Sequence, residues 1–168
     1  NRCRRQRQMC IRDRIKNQGA LPGIKVDKGL QPLEDCLGET VTVGLDGLDE
    51  RLKEYSSMGA KFTKWRAVIN IGDGLPTDKC IDANMEALAD YAKCAQDNEM
   101  VPIVEPEVLM DGEHSIDECY EATERSLKSL FEHLDKKGVN IKGTLLKPNM
   151  VTSGKDASVQ AGIDEVAK

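Results

Sequence analysis

The sequence has 168 residues, of which 39% are hydrophobic and 32% are charged, proportions typical of one water-soluble globular domain or part of one. Its apolar runs are short and no apolar segment follows the basic start, so we expect no transmembrane helix, no membrane partner and no secretory signal. Its six cysteines form no C-x-x-C pair, which indicates reduced thiols and a cytoplasmic location, with a plastid location left open.

The net charge of −5 conceals an asymmetry between the start of the chain and the rest. Residues 1–14 contain six arginines and one aspartate, a net charge of +5, so the remaining residues sum to −10. A basic arm can bind nucleic acid, but this one lacks aromatic residues and apolar periodicity, so we expect no nucleic-acid partner. We interpret residues 1–20 as a non-native or disordered segment and residues 21–168 as the folded domain.

From Leu21 onward, short predicted strands alternate with amphipathic helices. Each predicted strand is brief, is apolar or β-branched, and is bounded by Gly, Pro or polar residues. The four predicted strands are residues 22–27, 62–69, 101–107 and 143–147.

The helices between these strands carry recognisable start and stop signals. Gly59 ends the first helix, and the second begins near Thr77. Ser115 and Glu118 form a capping box at the start of the third. A fourth helix is predicted from Ser158, where apolar residues again recur at helical spacing.

Alternating strands and helices of this size imply parallel strands. An ionisable residue recurs at the carboxyl end of each strand, at Lys25, Lys64, Glu105 and Lys147, which are 39, 41 and 42 residues apart. An open doubly wound sheet also binds ligands at strand ends, but no glycine-rich dinucleotide loop is present. We therefore predict an α/β fold, an incomplete (β/α)8 TIM barrel of roughly four consecutive βα units.

Lys147 ends the last predicted strand, where burial favours the neutral amine. Because a neutral amine attacks carbonyl carbon, we predict that Lys147 forms a Schiff base with a sugar phosphate. Lys64 and Arg66 share a strand face, and their charges would favour the neutral amine further. One charged residue of this kind could simply lie on the solvent-exposed rim of the sheet. Charged residues on four consecutive strands, at matching positions, instead indicate a functional site.

Glu105 and Glu107 also share a strand face. We expect apolar and acidic neighbours to raise the pKa of Glu105, so that it can move protons to and from a carbinolamine oxygen. Glu107 would balance the charges of the lysines. Arg66, through its planar fork, or Lys25, as a point charge, suits a phosphate group.

Four segments of the sequence, GIKVDKG, KWRAV, VPIVEPE and TLLKPNMVTSGK, resemble class I fructose-bisphosphate aldolase in their order and separation. The resemblance runs from Gly23 to the end of the sequence, and GLDGLDERL fits it as well. It implies a barrel that reversibly cleaves fructose 1,6-bisphosphate to dihydroxyacetone phosphate and glyceraldehyde 3-phosphate. It further implies a homotetramer at full length, with no metal and no other cofactor.

The same resemblance assigns roles to the charged residues. The catalytic residues that it implies are Lys147, Glu105, Glu107 and Lys64. The substrate-binding residues that it implies are Lys25, Lys64 and Arg66. The family's first two strands, its Ser-Gly-Gly phosphate loop and its strand-eight arginine have no counterpart here, so the resemblance implies a fragment that lacks part of the site and is inactive alone.

Two alternatives stay open at this point. One is another Schiff-base lyase, such as a transaldolase or a pyruvate-type enzyme, although the segments around Lys64 and Glu105 argue against those families. The other is a non-catalytic half-barrel that serves as a binding or assembly module. A zinc site is not expected, because neither His114 nor His133 lies at a strand end.

Overall fold

A computed structural model of the chain describes the backbone of residues 2–168 and the side chains of residues 10–168. The helices are α1 Arg2–Asn17, α2 Leu48–Ser57, α3 Asp78–Asp97, α4 Ile116–Lys136 and α5 Ile163–Val166, with a 3-10 turn at Ile141–Gly143. The strands are β1 Gly23–Lys25, β2 Leu30–Pro32, β3 Thr40–Thr42, β4 Phe62–Ile69, β5 Val101–Val108 and β6 Leu145–Leu146.

Strands β1, β4, β5 and β6 form one parallel sheet in that order. Helix α2 precedes β4, α3 joins β4 to β5, and α4 joins β5 to β6, so each step of the sheet contains a helical crossover. The predicted succession of parallel βα units is therefore confirmed. The three helices lie side by side, with α3 packed against β4 and β5.

One face of the sheet packs against these helices and forms the core. Along β4, Thr63, Trp65 and Ala67 point to this face and are fully buried. The Trp65 ring stacks on Tyr91 of α3, with the ring centroids 5.5 Å apart and the planes 24° from parallel. This confirms that Trp65 lies opposite Lys64 and packs under a helix.

The predicted helix ends are confirmed by their hydrogen bonds. Thr77 caps α3 by accepting from the Cys80 N–H through its side chain. Ser115 and Glu118 form the reciprocal capping box at the start of α4. Gly59 follows α2 with φ of 97°, a left-handed conformation that glycine adopts without strain.

Three predicted elements are shorter than expected. Strand β1 covers only Gly23–Lys25 of the predicted residues 22–27. The last strand is only β6, because Asn140 caps a 3-10 turn where the strand was predicted to begin. Helix α5 begins at Ile163 and not at Ser158. The preceding residues are instead held by Gln160, whose side chain donates to the Gly154 and Ala157 carbonyls.

An antiparallel hairpin of β2 and β3 was not predicted, since each of its strands has only three residues. It is fastened beside β4, where the Thr42 hydroxyl donates to the Arg66 carbonyl over 2.8 Å. Asn84 of α3 holds the same strand by accepting from the Thr42 N–H and donating to the Thr40 carbonyl. The hairpin thereby fixes the chain that follows the end of β1.

Residues 2–17 are helical, and Arg12 of α1 donates to the Met58 carbonyl over 2.8 Å. The division of the chain into residues 1–20 and residues 21–168 stays a prediction. In the described part of the chain, no helix combines the length and apolar character needed to cross a bilayer.

Candidate active site

The face of the sheet opposite the helices, here called the inner face, carries charged side chains from every strand. Alternation along the strands places these residues together, as the sequence predicts. They are Lys25 at the end of β1, Lys64 and Arg66 on β4, Glu105 and Glu107 on β5, and Lys147 after β6. The Lys147 N–H donates to the Val104 carbonyl over 2.9 Å and so continues the pairing of β6 with β5.

Glu105 is the centre of this cluster. Its side chain is only 3% exposed, and each of its oxygens meets a different lysine. Lys64 Nζ donates to Oε2 over 2.6 Å, and Lys147 Nζ donates to Oε1. A buried carboxylate needs such partners, because an unpaired charge in the interior carries a large desolvation penalty.

The balance of these effects fixes the resting charge of Glu105. Burial raises its pKa, but the hydrogen bonds from Lys147 and Lys64 outweigh burial, so its pKa lies below the ordinary value. The expectation of a raised pKa is therefore wrong for this arrangement. The neighbours that decide the shift are two ammonium groups and not the apolar and acidic residues adjacent in sequence.

Two further ion pairs flank this centre on the inner face. Arg66 Nε donates to Glu107 Oε2, so Glu107 balances an arginine and not, as we expected, the lysines. Lys25 Nζ donates to Asp27 Oδ1, within the same strand end. With the two lysine contacts of Glu105, the inner face has four ion pairs, and each predicted substrate-binding cation has a carboxylate partner.

Lys147 is more exposed than the sequence predicts. Its side chain is 58% exposed, whereas Lys64 is 30% exposed. The reason is the position of β6 as the last strand in the sheet, which leaves Leu145 and Leu146 exposed as well. The position of Lys147 after β6 therefore does not by itself remove the lysine side chain from water.

Sequence reasoning missed Asn149, which fastens the chain after β6. Its Oδ1 accepts from the Val108 N–H over 3.2 Å, and its Nδ2 donates to the Thr123 hydroxyl over 3.1 Å. The residue thus ties the segment after Lys147 to both β5 and α4. The signal available in the sequence was an asparagine next to Pro148, a combination typical of a turn at a strand end.

His114 and His133 lie away from the inner face. His133 of α4 pairs with Asp82 of α3 over 2.8 Å, and His114 is buried in the loop before α4. Among the residues whose side chains are described, no three His, Cys, Asp or Glu side chains lie close enough to hold a metal ion.

These features define an α/β protein built from consecutive βα units, with a lysine–glutamate–lysine cluster on the inner face of its parallel sheet. Lys64 and Glu105 lie within β4 and β5 and not, as we expected, at the carboxyl ends of these strands, because both strands continue for several residues beyond them. The family model "Glycolytic: Fructose-bisphosphate aldolase class-I" matches residues 3–168. The chain belongs to the class-I fructose-bisphosphate aldolase family.

Similar proteins come from bacteria, plants and protozoa. A probable fructose-bisphosphate aldolase class 1 of Xylella fastidiosa (strain 9a5c) is 57% identical over 154 residues, which are 92% of this chain and 46% of that protein. The cytosolic fructose-bisphosphate aldolase 4 of Arabidopsis thaliana is 49% identical over 93% of this chain and 40% of its own length. The chain therefore spans about half the length of the curated relatives it matches.

A solved structure of fructose-bisphosphate aldolase from Plasmodium falciparum has the same fold. It superposes with a TM-score of 0.88 and 46% sequence identity, over 90% of this chain and 44% of that one. The four-stranded parallel sheet is accordingly a part of a TIM barrel, and the predicted incomplete barrel is confirmed. The inner face of the sheet is the face that a closed barrel turns toward its interior.

Proposed function

We propose that the full-length protein carrying these residues reversibly cleaves fructose 1,6-bisphosphate to dihydroxyacetone phosphate and glyceraldehyde 3-phosphate. The observation that carries this proposal is the contact of Lys147 Nζ with the buried carboxylate of Glu105. Family membership supports the substrate. The chemistry is proposed to run through a Schiff base between Lys147 and the substrate ketone.

The Lys147–Glu105 pair can supply both groups that Schiff-base formation needs. At rest Glu105 is a carboxylate that accepts a hydrogen bond from Lys147 Nζ, since the pKa of Glu105 lies below its ordinary value. Transfer of one proton from Lys147 to Oε1 creates a neutral amine and a carboxylic acid at the same time. The amine attacks the ketone carbon, and Glu105 then gives its proton to the carbinolamine oxygen as water leaves.

The iminium that results draws electrons from the adjacent carbon–carbon bond. As the substrate's C4 hydroxyl loses its proton, the C3–C4 bond breaks, the aldehyde product departs and an enamine remains on Lys147. Protonation of the enamine and hydrolysis of the iminium release the second product and restore the amine. Glu105 is the proposed proton carrier, assisted by Lys64 and Glu107.

Three cations of the inner face are proposed to bind substrate phosphate or hydroxyl groups. Arg66 offers a planar fork, and Lys25 and Lys64 offer point charges. Each is paired with a carboxylate, so the cations are held apart before substrate arrives. Four cations (Lys25, Lys64, Arg66 and Lys147) face three carboxylates (Asp27, Glu105 and Glu107) in these pairs, so the net charge is +1 and attracts a phosphorylated sugar.

The whole protein is proposed to be a cytoplasmic homotetramer. Its relatives are about twice as long as this chain, so further barrel strands are proposed to complete the site. On this proposal the 168 residues alone show negligible turnover. Robust aldol cleavage by the isolated chain would contradict the requirement for further strands.

The test is trapping with borohydride in the full-length protein. Reduction in the presence of dihydroxyacetone phosphate should add mass to the peptide that contains Lys147. Lys147→Met should abolish the adduct, and Lys142→Met, which removes an exposed lysine from the same segment, should leave it intact. An adduct that persists in Lys147→Met, or a loss of activity in EDTA, would contradict the mechanism.

A further inference from the structure

Asp27 is a buried carboxylate of the inner face to which the proposed chemistry gives no role. Its side chain is 3% exposed. Oδ1 accepts from Lys25 Nζ and from the Gly29 N–H over 3.4 Å. Oδ2 is buried and has no hydrogen-bond partner among the described residues. Leaving a buried polar oxygen without a partner costs free energy, so the position of this carboxylate needs an explanation beyond stability.

The carboxylate of Asp27 is held from two sides. Its bond to Gly29 closes a turn of the Asx type, in which an aspartate binds its own backbone two residues on. Arg51 of α2 donates to the Val26 carbonyl over 2.8 Å and to the Gly44 carbonyl, which fixes the main chain just before Asp27. Asp27 is thus a rigid group at the end of β1.

Lys25, its partner, has the opposite character. The Lys25 side chain is 53% exposed, and a free lysine side chain has high rotamer entropy. Lys25 lies directly opposite Lys64 in the register of β1 and β4, where two like charges repel each other. Because Lys25 pairs with Asp27, its ammonium group stays near the end of β1. The two oxygens of Glu105 are then bound by Lys64 and Lys147.

We propose that Asp27 is a positioning residue that holds the Lys25 ammonium where it receives a phosphate group of the substrate. The proposal rests on the proposed function, in which Lys25 binds substrate. Asp27 acts only through Lys25, since its own oxygens are buried at rest. A rigid carboxylate that orders a mobile lysine lowers the entropy lost when the lysine binds phosphate.

The test is a double-mutant cycle in the full-length protein, with steady-state kinetics on fructose 1,6-bisphosphate. Asp27→Asn should raise KM about fivefold with kcat changed less than about twofold, because ordering of one binding group is lost. Lys25→Met should raise KM further. Adding Asp27→Asn to Lys25→Met should change nothing more, since the group that Asp27 positions is gone.

A matched control is Asp49→Asn, which removes an aspartate paired with Lys53 on α2. It should leave KM and kcat unchanged. Effects of Asp27→Asn and Lys25→Met that multiply would show that Asp27 is merely structural, and an unchanged KM in Asp27→Asn would also overturn the proposal. If Asp27→Asn does not fold, Asp27→Glu replaces it in the cycle. Glutamate keeps the negative charge but moves the carboxylate away from its position in Asp27, so the same outcomes are expected.

Failure of this proposal can be told apart from failure of the proposed function. Wild-type cleavage of the sugar and borohydride trapping on Lys147 test the function without reference to Asp27. A wild-type protein that traps at Lys147, combined with an Asp27→Asn variant of normal KM, contradicts only the role of Asp27. Absence of trapping in the wild type contradicts the function itself.

Discussion

Lys64 donates to Glu105 over 2.6 Å although its register partner on β5 is Ile103, so the contact runs diagonally between the two strands. Diagonal neighbours on one face of a sheet lie within reach of a long side chain such as lysine. Lys147 approaches the same carboxylate from the other side. The carboxylate is therefore held between two ammonium groups contributed by its two neighbouring strands.

This arrangement predicts that Glu105 stabilises the fold above acid pH. Its pKa is lower in the folded protein than the unfolded value of about 4.3, so its stabilisation is present above that pH. The stabilisation is lost as the pH falls through the folded pKa, because the protonated acid no longer pairs with the lysines. Urea unfolding of the full-length protein at a series of pH values between 7 and 3 measures this loss.

Glu105→Gln should flatten that acid dependence, since glutamine does not titrate. The matched control is Glu113→Gln, which changes an exposed glutamate in the loop before α4. The control should lose stability on acidification as the wild type does. Parallel curves for the wild type and Glu105→Gln would contradict the paired state of this carboxylate.

The second prediction concerns turnover. Glu105→Gln should lower kcat of the full-length protein by about 10²–10⁴-fold, the range for loss of a general acid–base group. The physical reason is that an amide can neither take the proton of Lys147 nor give it to the carbinolamine oxygen. Steady-state cleavage of fructose 1,6-bisphosphate measures the effect. The control is Glu121→Gln, on the exposed side of α4, which should keep normal kcat. A kcat for Glu105→Gln within about tenfold of the wild-type value would exclude Glu105 as the proton carrier.

Local signals in the sequence were sufficient for much of the fold. The period-two pattern of β4 placed Trp65 under a helix and Lys64 on the other face, and both placements are confirmed. Ser115 and Glu118 identified the start of α4 because both partners of a capping box lie within four residues. Both features depend on residues that are close together in the chain, so they can be recognised from the sequence alone.

The charge state of Glu105 could not be predicted in the same way. Its partners lie 41 and 42 residues away, and which of them reach it depends on strand register and stagger. The exposure of Lys147 escaped prediction for a related reason, since it reflects the place of β6 in the sheet. Strand order can be inferred from alternating elements, but the distance between two side chains on different strands cannot.

A third prediction tests the buried hydrogen bond between Thr63 and Tyr91. The two hydroxyl groups lie 2.8 Å apart, and both residues are fully buried. Tyr91→Phe should destabilise the protein by about 1–3 kcal/mol, because the Thr63 hydroxyl is left buried without this partner. Urea denaturation of the full-length variant, followed by circular dichroism, measures the change.

Removing both hydroxyl groups should cost less than the two separate losses together. The variant Thr63→Val with Tyr91→Phe replaces the polar pair by apolar groups of similar shape, so no unpaired donor or acceptor remains at this contact. Tyr120→Phe is the control, since Tyr120 is 59% exposed, and it should change stability by less than about 0.5 kcal/mol. Strictly additive losses at Thr63 and Tyr91 would contradict the coupling.

The last prediction concerns the reactivity of Cys80, which lies in the first turn of α3. Burial raises its pKa to about 12, and the negative charge of Glu39 acts in the same direction. A thiol reacts as its thiolate, and at pH 8 only about one molecule in ten thousand would carry the thiolate at this site. Iodoacetamide at pH 8 should therefore leave Cys80 unmodified in the folded protein, as measured by peptide mass spectrometry.

Cys10 serves as the internal control, because it is exposed on α1. It should be alkylated readily in the same sample, and unfolding in urea should make Cys80 react as well, since burial and the contact with Glu39 are then lost. Protection that persists in urea would show that the fold is not its cause. Alkylation of Cys80 in the native protein at the rate of Cys10 would contradict the burial of this thiol against the β2–β3 hairpin, where its sulfur lies 3.8 Å from the Thr40 carbonyl.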